Sequence, residues 1–370
     1  MPTFEVYRLR LRGPLRVGER GVGLEGSTPT VPSDTLFSAL CMAMRWQLGV
    51  GWLEEWLAAY RDGRPPLLLS STFPYVAAVD GQGEEIKETS TWLCWPRPRL
   101  LLARDPSRKA GGDGPDHKRV KKIRWVGERL FRRILAGAPT LHELDDGAVW
   151  DPEGVWWPQA DRPTPQRDDR PLWGSPEAVP RVALDRLSTR SNLFRTARMA
   201  YRAAGAFQAG LFFLVAWRDE QWREMFDASL LALSELGLGS ERSVGYGQFE
   251  LVDKEPPSIT FPDDGLHAVL LSSYHPTPEE VDRDVLDDAQ IELHVRRGWV
   301  TSPEGSGWRR RSVHMLAPGS VVRRVGDPLG HLVDVTPPGF DAHPVYRCGY
   351  GLAVPCVAPQ EVEAREEDEG

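Results

Sequence analysis

The sequence Gly237-Leu-Gly-Ser-Glu-Arg-Ser-Val-Gly-Tyr-Gly247 joins a predicted amphipathic helix to a predicted strand. Apolar residues recur at helical spacing over residues 219–236, and residues 248–252 have the pattern of a strand. Four glycines in eleven residues permit positive φ angles and a close approach of the backbone to a ligand. Consecutive amides in such a turn can bind an anion, and Arg242 adds a positive charge beside them. The alternative is a structural loop that requires tight turns.

The order of the elements around this turn excludes two common nucleotide-binding motifs. Dinucleotide-binding and P-loop sequences follow a strand and open a helix, whereas this turn follows a helix and precedes a strand. The turn also lacks the Gly-Lys-Ser/Thr signature of P-loop proteins. A doubly wound nucleotide-binding sheet is therefore not expected.

Both halves of the chain mix strands with one or two helices, which predicts an α+β fold of two ferredoxin-like units with long inserted loops. In the first half, residues 4–12 and 209–217 have strand patterns, and Ser33 can cap a helix. Residues 125–135 have a helical pattern. Residues 136–180 are rich in proline and poor in periodic pattern, which is typical of a functional or disordered loop.

Three prolines mark the boundary between the two predicted units: Pro256, Pro257 and Pro262. The first unit is predicted to be residues 1–255, with the insertions and the glycine-rich loop, and the second residues 256–358. The acidic tail of residues 359–370 is predicted to be disordered. The elements predicted in the second unit are a helix over 278–289 and strands over 267–274, 291–300, 320–325 and 345–357.

Positive and negative charges are unevenly distributed along the 370 residues. The formal net charge is −8, which by itself argues against a nucleic-acid-binding protein. Residues 104–133 hold 11 basic and 4 acidic residues, and residues 181–202 hold six arginines and one acid. These two segments amount to +12, so the rest of the chain carries −20. The distribution indicates limited basic surfaces for RNA and acidic surfaces for proteins.

Three further segments are candidate RNA contacts. Residues 181–194 are predicted to form an extended hairpin along a phosphate backbone, and residues 117–125 are a basic run that ends in an aromatic residue. The start of the first helix is a potential anion site. The alternatives are a solvated edge hairpin, a solvated basic face and an ordinary helix cap. The candidate residues in these segments are Ser33, Asp34, Lys121, Lys122, Arg124, Arg186 and Arg190.

Signals for catalysis or metal binding are weak. The eight histidines show no HxxxH or HxH spacing, and no GxSxG, HExxH or kinase signature is present, so we predict no catalytic residue, metal or cofactor. His275 is the one histidine that we would test as a general acid or base. The four cysteines have no CxxC spacing, which fits a reducing cytoplasm. The longest apolar run, residues 211–217, is too short to span a membrane, and the N-terminus does not resemble a signal peptide.

Several motifs, taken together and in order, resemble the Csm subunit four family, the Cas-five-type RAMP proteins of type III-A CRISPR effector complexes. The resemblance spans most of residues 1–357 and leaves out the loops at 104–117 and 136–180. Besides the glycine-rich turn, the motifs are Gly13-Pro-Leu-Arg-Val-Gly-Glu-Arg-Gly-Val-Gly-Leu-Glu, Ser33-Asp-Thr-Leu-Phe-Ser-Ala-Leu40, Ser71-Thr-Phe-Pro-Tyr75, Lys121-Lys-Ile-Arg-Trp125, Val182-Ala-Leu-Asp-Arg186 and Gly349-Tyr-Gly-Leu-Ala-Val-Pro355.

The resemblance implies two RRM-like RAMP units and a non-catalytic subunit of an antiviral and anti-plasmid interference complex. Such a subunit grips the 5′ repeat-derived handle of the CRISPR RNA. It docks on the large polymerase-like subunit and on the backbone RAMP subunits, with no membrane partner. The residues of the turn that the resemblance places against RNA are Gly237, Gly239, Arg242, Ser243, Gly245 and Gly247. The hairpin around Asp185, Arg186 and Thr189 is the implied thumb, and the helix start at Ser33 and Asp34 is also implied to face RNA.

Two positions depart from the family pattern. Pro32 stands where many relatives carry a histidine before the Ser-Asp-Thr-Leu-Phe motif, and Ser240 stands where a further glycine is common. The alternatives to an RNA-binding subunit are a RAMP-type endoribonuclease that processes CRISPR RNA and a protein-only adaptor. The missing histidine disfavours the nuclease, because cleavage requires an activator of the RNA 2′-OH.

Overall fold

The computed structural model describes residues 1–18, 26–80, 85–86, 91–102, 122–137, 147–150, 153–158, 163, 171–174, 176–185 and 190–357. The loop at residues 104–117, which the resemblance leaves out, and the tail of residues 359–370 lie outside this part of the chain. Five α-helices are described: α1 (Ser33–Leu48), α2 (Val50–Arg61), α3 (Glu128–Leu135), α4 (Arg223–Leu236) and α5 (Pro278–Asp282).

Twenty-two strands are described. In the N-terminal half they are β1 (Thr3–Leu11), β2 (Leu67–Leu69), β3 (Phe73–Ala78), β4 (Thr91–Pro96), β5 (Trp125–Gly127), β6 (Gly147–Trp150), β7 (Val155–Pro158), β8 (Glu177–Leu184), β9 (Ser191–Arg198), β10 (Ala203–Ala204), β11 (Phe207–Trp217) and β12 (Phe249–Leu251). In the C-terminal half they are β13 (Ser258–Thr260), β14 (His267–Leu270), β15 (Leu293–Arg296), β16 (Trp299–Ser302), β17 (Gly305–Arg309), β18 (Val313–Leu316), β19 (Val321–Arg323), β20 (Leu332–Asp334), β21 (Tyr346–Cys348) and β22 (Ala353–Cys356).

The large N-terminal sheet has its main strands in the order β12-β1-β11-β3, and all of these neighbours are antiparallel. Along the chain these elements run β1, α1, β3, β11, α4, β12, which is a strand-helix-strand-strand-helix-strand order. The sheet continues through β4, β5, β7 and β6. The α+β class predicted from the sequence is confirmed.

Helices α1 and α4 cover one face of this sheet because their apolar residues recur at helical spacing. On α1 the buried residues include Leu36, Phe37 and Leu40, and on α4 they include Phe226 and Leu230. The central strand β11 is buried almost throughout, which explains its continuous apolar sequence. Packing of the two helices leaves the loop after β1 and the glycine-rich turn side by side at one end of the sheet.

The C-terminal unit has a three-stranded sheet in the order β19-β14-β22 and several two-stranded ribbons. Its residues Val269, Val354 and Leu352 belong to the same hydrophobic cluster as the core of the N-terminal sheet. The Tyr350 hydroxyl also donates a hydrogen bond of 2.6 Å to the Tyr60 carbonyl oxygen on α2. The two units therefore share a continuous core and hold each other in place.

Several predicted elements are wrong in extent. The predicted helix over residues 278–289 ends at Asp282, because Asp284 and Asp288 adopt positive φ angles of 63° and 52° that an α-helix cannot contain. The predicted strand over 291–300 is two strands, β15 and β16, that pair with different partners. The predicted strand over 345–357 is likewise divided between β21 and β22.

Three predictions in the N-terminal half also need correction. Residues 125–127 form strand β5 before helix α3 begins, so the predicted helix over 125–135 is too long. Within the segment 136–180, strands β6 and β7 pair with each other, and β7 adds to the large sheet beside β5. Ser33 is the first residue of α1 and does not cap it, since Pro32 is the N-cap residue.

Candidate nucleic-acid interface

The glycine-rich turn has the positive φ angles that its sequence predicts. The φ angles of its four glycines are 80°, 82°, 84° and 73°, in chain order from Gly237 to Gly247. A Cβ atom on Gly239 would overlap the Arg16 carbonyl oxygen, and one on Gly247 would overlap the Leu238 carbonyl oxygen. Three of the four glycines are therefore required by packing within the protein, and Gly245 alone among them has open space beside it.

Backbone amides of the turn are also used inside the protein. The Ser240 amide donates to the Arg16 carbonyl oxygen at 2.9 Å, and the Gly247 amide donates to the Pro14 carbonyl oxygen at 2.8 Å. The Leu238 amide donates to the Gly247 carbonyl oxygen at 2.9 Å. These three amides are therefore not free to bind an anion.

A cleft of about 400 Å³ lies between the glycine-rich turn and the C-terminal unit. Its floor is the face of α1 that carries Thr35, Ser38 and Met42. Gly237 and Gly239 line it on the side of the turn. Six arginines surround the cleft, and we call them the arginine cleft: Arg16, Arg242, Arg296, Arg297, Arg310 and Arg347.

One buried carboxylate organises the C-terminal wall of the arginine cleft. Asp34 is fully buried, and its Oδ2 atom accepts hydrogen bonds from Arg296 Nε at 3.1 Å and from Arg347 Nη1. Arg296 also donates to the Thr35 hydroxyl at 2.8 Å. Burial lowers the pKa of both arginines to about 10, so both stay protonated at neutral pH. Asp34 therefore positions two guanidinium groups and does not itself reach the cleft surface.

The positive charge of the arginine cleft is only partly compensated. Asp34 forms ion pairs with Arg296 and Arg347, and Glu241 forms an ion pair of 3.1 Å with Arg16. Within the described part of the chain, no carboxylate lies within ion-pair distance of Arg242, Arg297 or Arg310. Three of the six arginines therefore have no carboxylate partner among the described residues.

A second cleft of about 1100 Å³ adjoins the first, and Arg296 and Arg297 line both. Arg97, Arg99 and Arg124 add positive charge to this second cleft, and Glu292 forms an ion pair with Arg99. Arg124 comes from the basic run that the sequence singled out, directly before β5. Arg296 and Arg297 therefore form a basic boundary between the two clefts.

The predicted hairpin is present as β8 and β9, which are antiparallel over eight residue pairs from Glu177–Arg198 to Leu184–Ser191. At about 3.3 Å per residue it extends about 26 Å. Its base is attached to the glycine-rich turn, because Arg181 donates to the Tyr246 hydroxyl at 3.2 Å and lies over the Tyr246 ring. Val182, Leu184 and Leu193 are exposed near its far end.

The predicted site residues fall into separate groups. Gly237, Gly239 and Arg242 line the arginine cleft, and Ser243 lines an adjoining hollow beside Trp46. Asp185 and Arg190 close the described end of the hairpin, where the Asp185 amide donates to the Arg190 carbonyl oxygen at 2.9 Å. Four further predicted residues lie at other places: Arg124 in the second cleft, Lys122 two residues before it, and Gly245 and Gly247 in the turn outside both clefts.

Besides Asp34, four of the predicted residues are either buried or outside the described part of the chain. Ser33 is buried, and its hydroxyl accepts a hydrogen bond of 2.9 Å from the Ser273 amide. Three predicted RNA contacts lie outside the described residues: Lys121, Arg186 and Thr189. Contact of the remaining predicted residues with RNA stays a prediction.

Sequence reasoning missed the four arginines of the C-terminal wall: Arg296, Arg297, Arg310 and Arg347. A signal for three of them was present, because residues 296–311 contain five arginines and one acid. The fourth, Arg347, is a single arginine in an otherwise apolar strand. Its place in the cleft follows from distant contacts, because it donates to Asp34 and to the Arg297 carbonyl oxygen.

His275 lies away from both clefts. Its Nδ1 atom is 3.0 Å from Nε2 of His331 in the C-terminal unit, and burial lowers the pKa of both histidines. In the described part of the chain, no group of three or more histidine, cysteine, aspartate or glutamate side chains could hold a metal ion. No helix among the same residues is long and apolar enough to cross a membrane.

Comparison with protein-family models gives two matches. The model of the RAMP superfamily matches residues 8–250, and the model of the CRISPR Csm4 C-terminal domain matches residues 263–356. The curated CRISPR system Cms protein Csm4 of Mycobacterium tuberculosis, in strains CDC 1551 / Oshkosh and ATCC 25618 / H37Rv, is 27% identical over 334 residues. The alignment covers 88% of this chain and 89% of that relative.

Solved structures share the fold at low sequence identity. A chain of the crystal structure of the Csm3–Csm4 subcomplex in the type III-A CRISPR-Cas interference complex is 14% identical, with a TM-score of 0.59. The match covers 96% of this chain and 99% of that one. A chain of the Csm1–Csm4 cassette in complex with pppApA is 18% identical, with a TM-score of 0.53, and the match covers 97% of this chain and all of that one.

Proposed function

This chain belongs to the RAMP superfamily and, within it, to the Csm4 family of type III CRISPR systems, and from this premise we propose that it is a non-catalytic RNA-binding subunit. It holds the 5′ repeat-derived handle of the CRISPR RNA in a type III-A interference complex. The observation that carries the proposal is the arginine cleft, where Arg242, Arg297 and Arg310 have no carboxylate partner among the described residues.

Arginine is suited to this role because its planar guanidinium donates paired hydrogen bonds to phosphate oxygens. Arg297 is exposed and lines both clefts, so one phosphate bound there can be followed by others on either side. The Arg181–Tyr246 contact keeps the base of the β8–β9 hairpin beside the turn. We propose that the strand passes along the two clefts and that the hairpin lies against it.

The protein partners proposed for this chain follow from its solved relatives, which are chains of Csm1–Csm4 and Csm3–Csm4 assemblies. By this likeness it docks on the large polymerase-like subunit and on the backbone RAMP subunits. An exposed apolar corner at α1 and α2 supports a protein contact, since Trp46, Val50 and Trp52 are 74%, 50% and 44% exposed.

A RAMP-type endoribonuclease is the competing candidate, because His294 lines the second cleft. A general base works best with a pKa near the operating pH. Burial and, to a lesser degree, Arg296 lower the pKa of His294 to about 4, which makes it a weak base at neutral pH. We expect purified protein to leave repeat RNA intact. Cleavage that disappears in His294→Ala would establish the nuclease instead.

The decisive test is to sequence the RNA that co-purifies with the native assembly. We expect RNAs with a common 5′ end derived from the repeat, protected from added nuclease. The affinity of the full chain for that RNA should fall as salt concentration rises, because phosphate contacts release counterions. An assembly whose RNA has no common 5′ end, or a chain that binds no RNA, would favour the protein-only adaptor.

A further inference from the structure

The ribbon formed by β16 and β17 carries an exposed tryptophan at the edge of the arginine cleft. Trp299 and Thr301 line the cleft, whereas Val300 between them is 3% exposed and packs in the C-terminal core. Trp299 itself is 44% exposed. The alternation of the strand therefore fixes the indole on the cleft side.

One face of the Trp299 ring is already occupied. Arg309 pairs with Trp299 across the ribbon, and its guanidinium carbon lies 4.9 Å from the centre of the ring. This cation–π contact restrains the orientation of the indole. The opposite face has no ring stacked on it among the described residues. A restrained ring that is 44% exposed is suited to stack on a flat partner.

The residues around Trp299 indicate which kind of ligand would stack on its ring. Arg297 is two residues from Trp299, lines the same cleft and has no carboxylate partner in the described part of the chain. A ligand at this point must offer both a flat apolar group and a negative charge, which is the chemistry of a nucleotide in a single strand. Trp46 is more exposed, but Glu235 and Glu241 line its hollow, which disfavours a phosphate there.

We propose that Trp299 is a stacking platform for one base of the bound RNA, with a neighbouring phosphate of the same strand at Arg297. The inference rests on the proposed function and adds to it a position where the protein holds a base. Stacking tolerates every base, so Trp299 fixes the register of the strand without selecting its sequence.

The ribbon provides a matched control. Trp308 is 42% exposed, lies on β17 and packs edge-on against Phe340, outside both clefts. Trp299→Ala should weaken binding of the co-purifying RNA by the full chain about tenfold. Trp308→Ala should leave the affinity unchanged, and Trp299→Phe should restore most of it. The dependence of affinity on salt should keep its slope in Trp299→Ala, because no phosphate contact is removed.

A second readout locates the stacked base. The same RNA is synthesised with 5-iodouridine at single positions, bound to the full chain and irradiated, and cross-linked peptides are identified by mass spectrometry. We expect one position to cross-link to Trp299 and none to Trp308. Equal loss of affinity in Trp299→Ala and Trp308→Ala, or no loss in either, would overturn the platform. Wild-type protein that binds no RNA would overturn the proposed function itself and, with it, this inference.

Discussion

The two walls of the arginine cleft are built in opposite ways. The N-terminal wall, formed by the glycine-rich turn, owes its shape to backbone geometry, and three of its four glycines and several of its amides are engaged within the protein. The C-terminal wall owes its charge to long side chains, of which Arg296 and Arg347 are anchored on Asp34. The N-terminal wall supplies the shape and two of the six arginines, and the C-terminal wall supplies the other four, so we expect substitutions in the two walls to have different effects.

Removal of the anchor should have the largest effect. Asp34→Ala leaves Arg296 and Arg347 buried without a counter-charge, and we expect the free energy of unfolding to fall by about 3–5 kcal/mol. The measurement is urea unfolding of the full chain. Asp287→Ala is the control, because its ion pair with Arg323 is exposed and should contribute less than about 1 kcal/mol. Equal effects of the two variants would contradict the role of Asp34 as an anchor.

Replacing a glycine of the turn by alanine tests whether the N-terminal wall has room for a side chain. Gly247→Ala forces a Cβ atom onto the Leu238 carbonyl oxygen at a positive φ angle, so we expect a loss of about 3 kcal/mol or more in stability. Gly245→Ala has a similar φ angle but open space, so about 1 kcal/mol of backbone strain should remain. Thermal unfolding of both variants separates the cost of steric overlap in Gly247→Ala from the cost of backbone strain, which both variants share. Similar melting temperatures would show that the turn can adjust.

Lowering the pH should destabilise the folded protein through His294 in the C-terminal unit. Burial lowers the pKa of His294 to about 4 from an ordinary value of 6.5, so the unfolded chain binds the proton more readily than the folded one. The stability that depends on neutral His294 is complete above pH 6.5 and is lost as pH falls towards 4. In His294→Gln, the unfolding free energy should therefore fall by about 2–3 kcal/mol less than in the unsubstituted protein between pH 7 and pH 4. Unfolding free energies of both proteins from pH 7 to 4 provide the measurement, and parallel curves would contradict the assignment.

Charge removal should affect RNA binding on both walls. Arg242→Ala and Arg310→Ala each remove one guanidinium from the arginine cleft, and each should weaken binding of the handle by about 1–3 kcal/mol. Each should also lower the slope of log affinity against log salt by about one. Arg311→Ala is the control, since Arg311 is exposed and does not line the cleft. A slope unchanged in Arg242→Ala would restrict the phosphate contacts to the C-terminal wall.

The smallest expected effect concerns the hairpin. Tyr246→Phe removes the hydroxyl that accepts the 3.2 Å hydrogen bond from Arg181, and the stability of the full chain should fall by about 0.5–1 kcal/mol. Hydrogen exchange of the β8 and β9 amides should become faster while the sheet strands keep their protection. Unchanged exchange would show that the ring contact alone holds the hairpin base.

The sequence predicted those elements in which local pattern and tertiary environment agree. Strand β11 and helix α4 were predicted because one is continuously apolar and the other is amphipathic. The helix at residues 278–289 was overestimated, because aspartates that tolerate positive φ angles end it early. The α+β class followed from the order of elements, whereas the division of the long C-terminal strands depends on which partner each part pairs with.

The candidate site was predictable on one wall only. The glycine-rich turn and Arg242 are contiguous in sequence, so their proximity could be read directly. Asp34 is 262 and 313 residues from its two arginine partners, and no local pattern encodes such a pairing. The same distance explains why the sequence alone led us to interpret Asp34 as an RNA contact. In the structure its carboxylate is buried and pairs with two arginines.

The separation of Asp34 from its partners has a consequence for synthesis on the ribosome. Chains emerge from the N-terminus, so helix α1 is made while Arg296 and Arg347 do not yet exist. Until the last part of the chain appears, the Asp34 carboxylate must stay hydrated, and the face of α1 that becomes the cleft floor stays uncovered. The arginine cleft is therefore completed only when nearly the whole chain has emerged. Truncated products contain the glycine-rich turn without the charged wall that faces it.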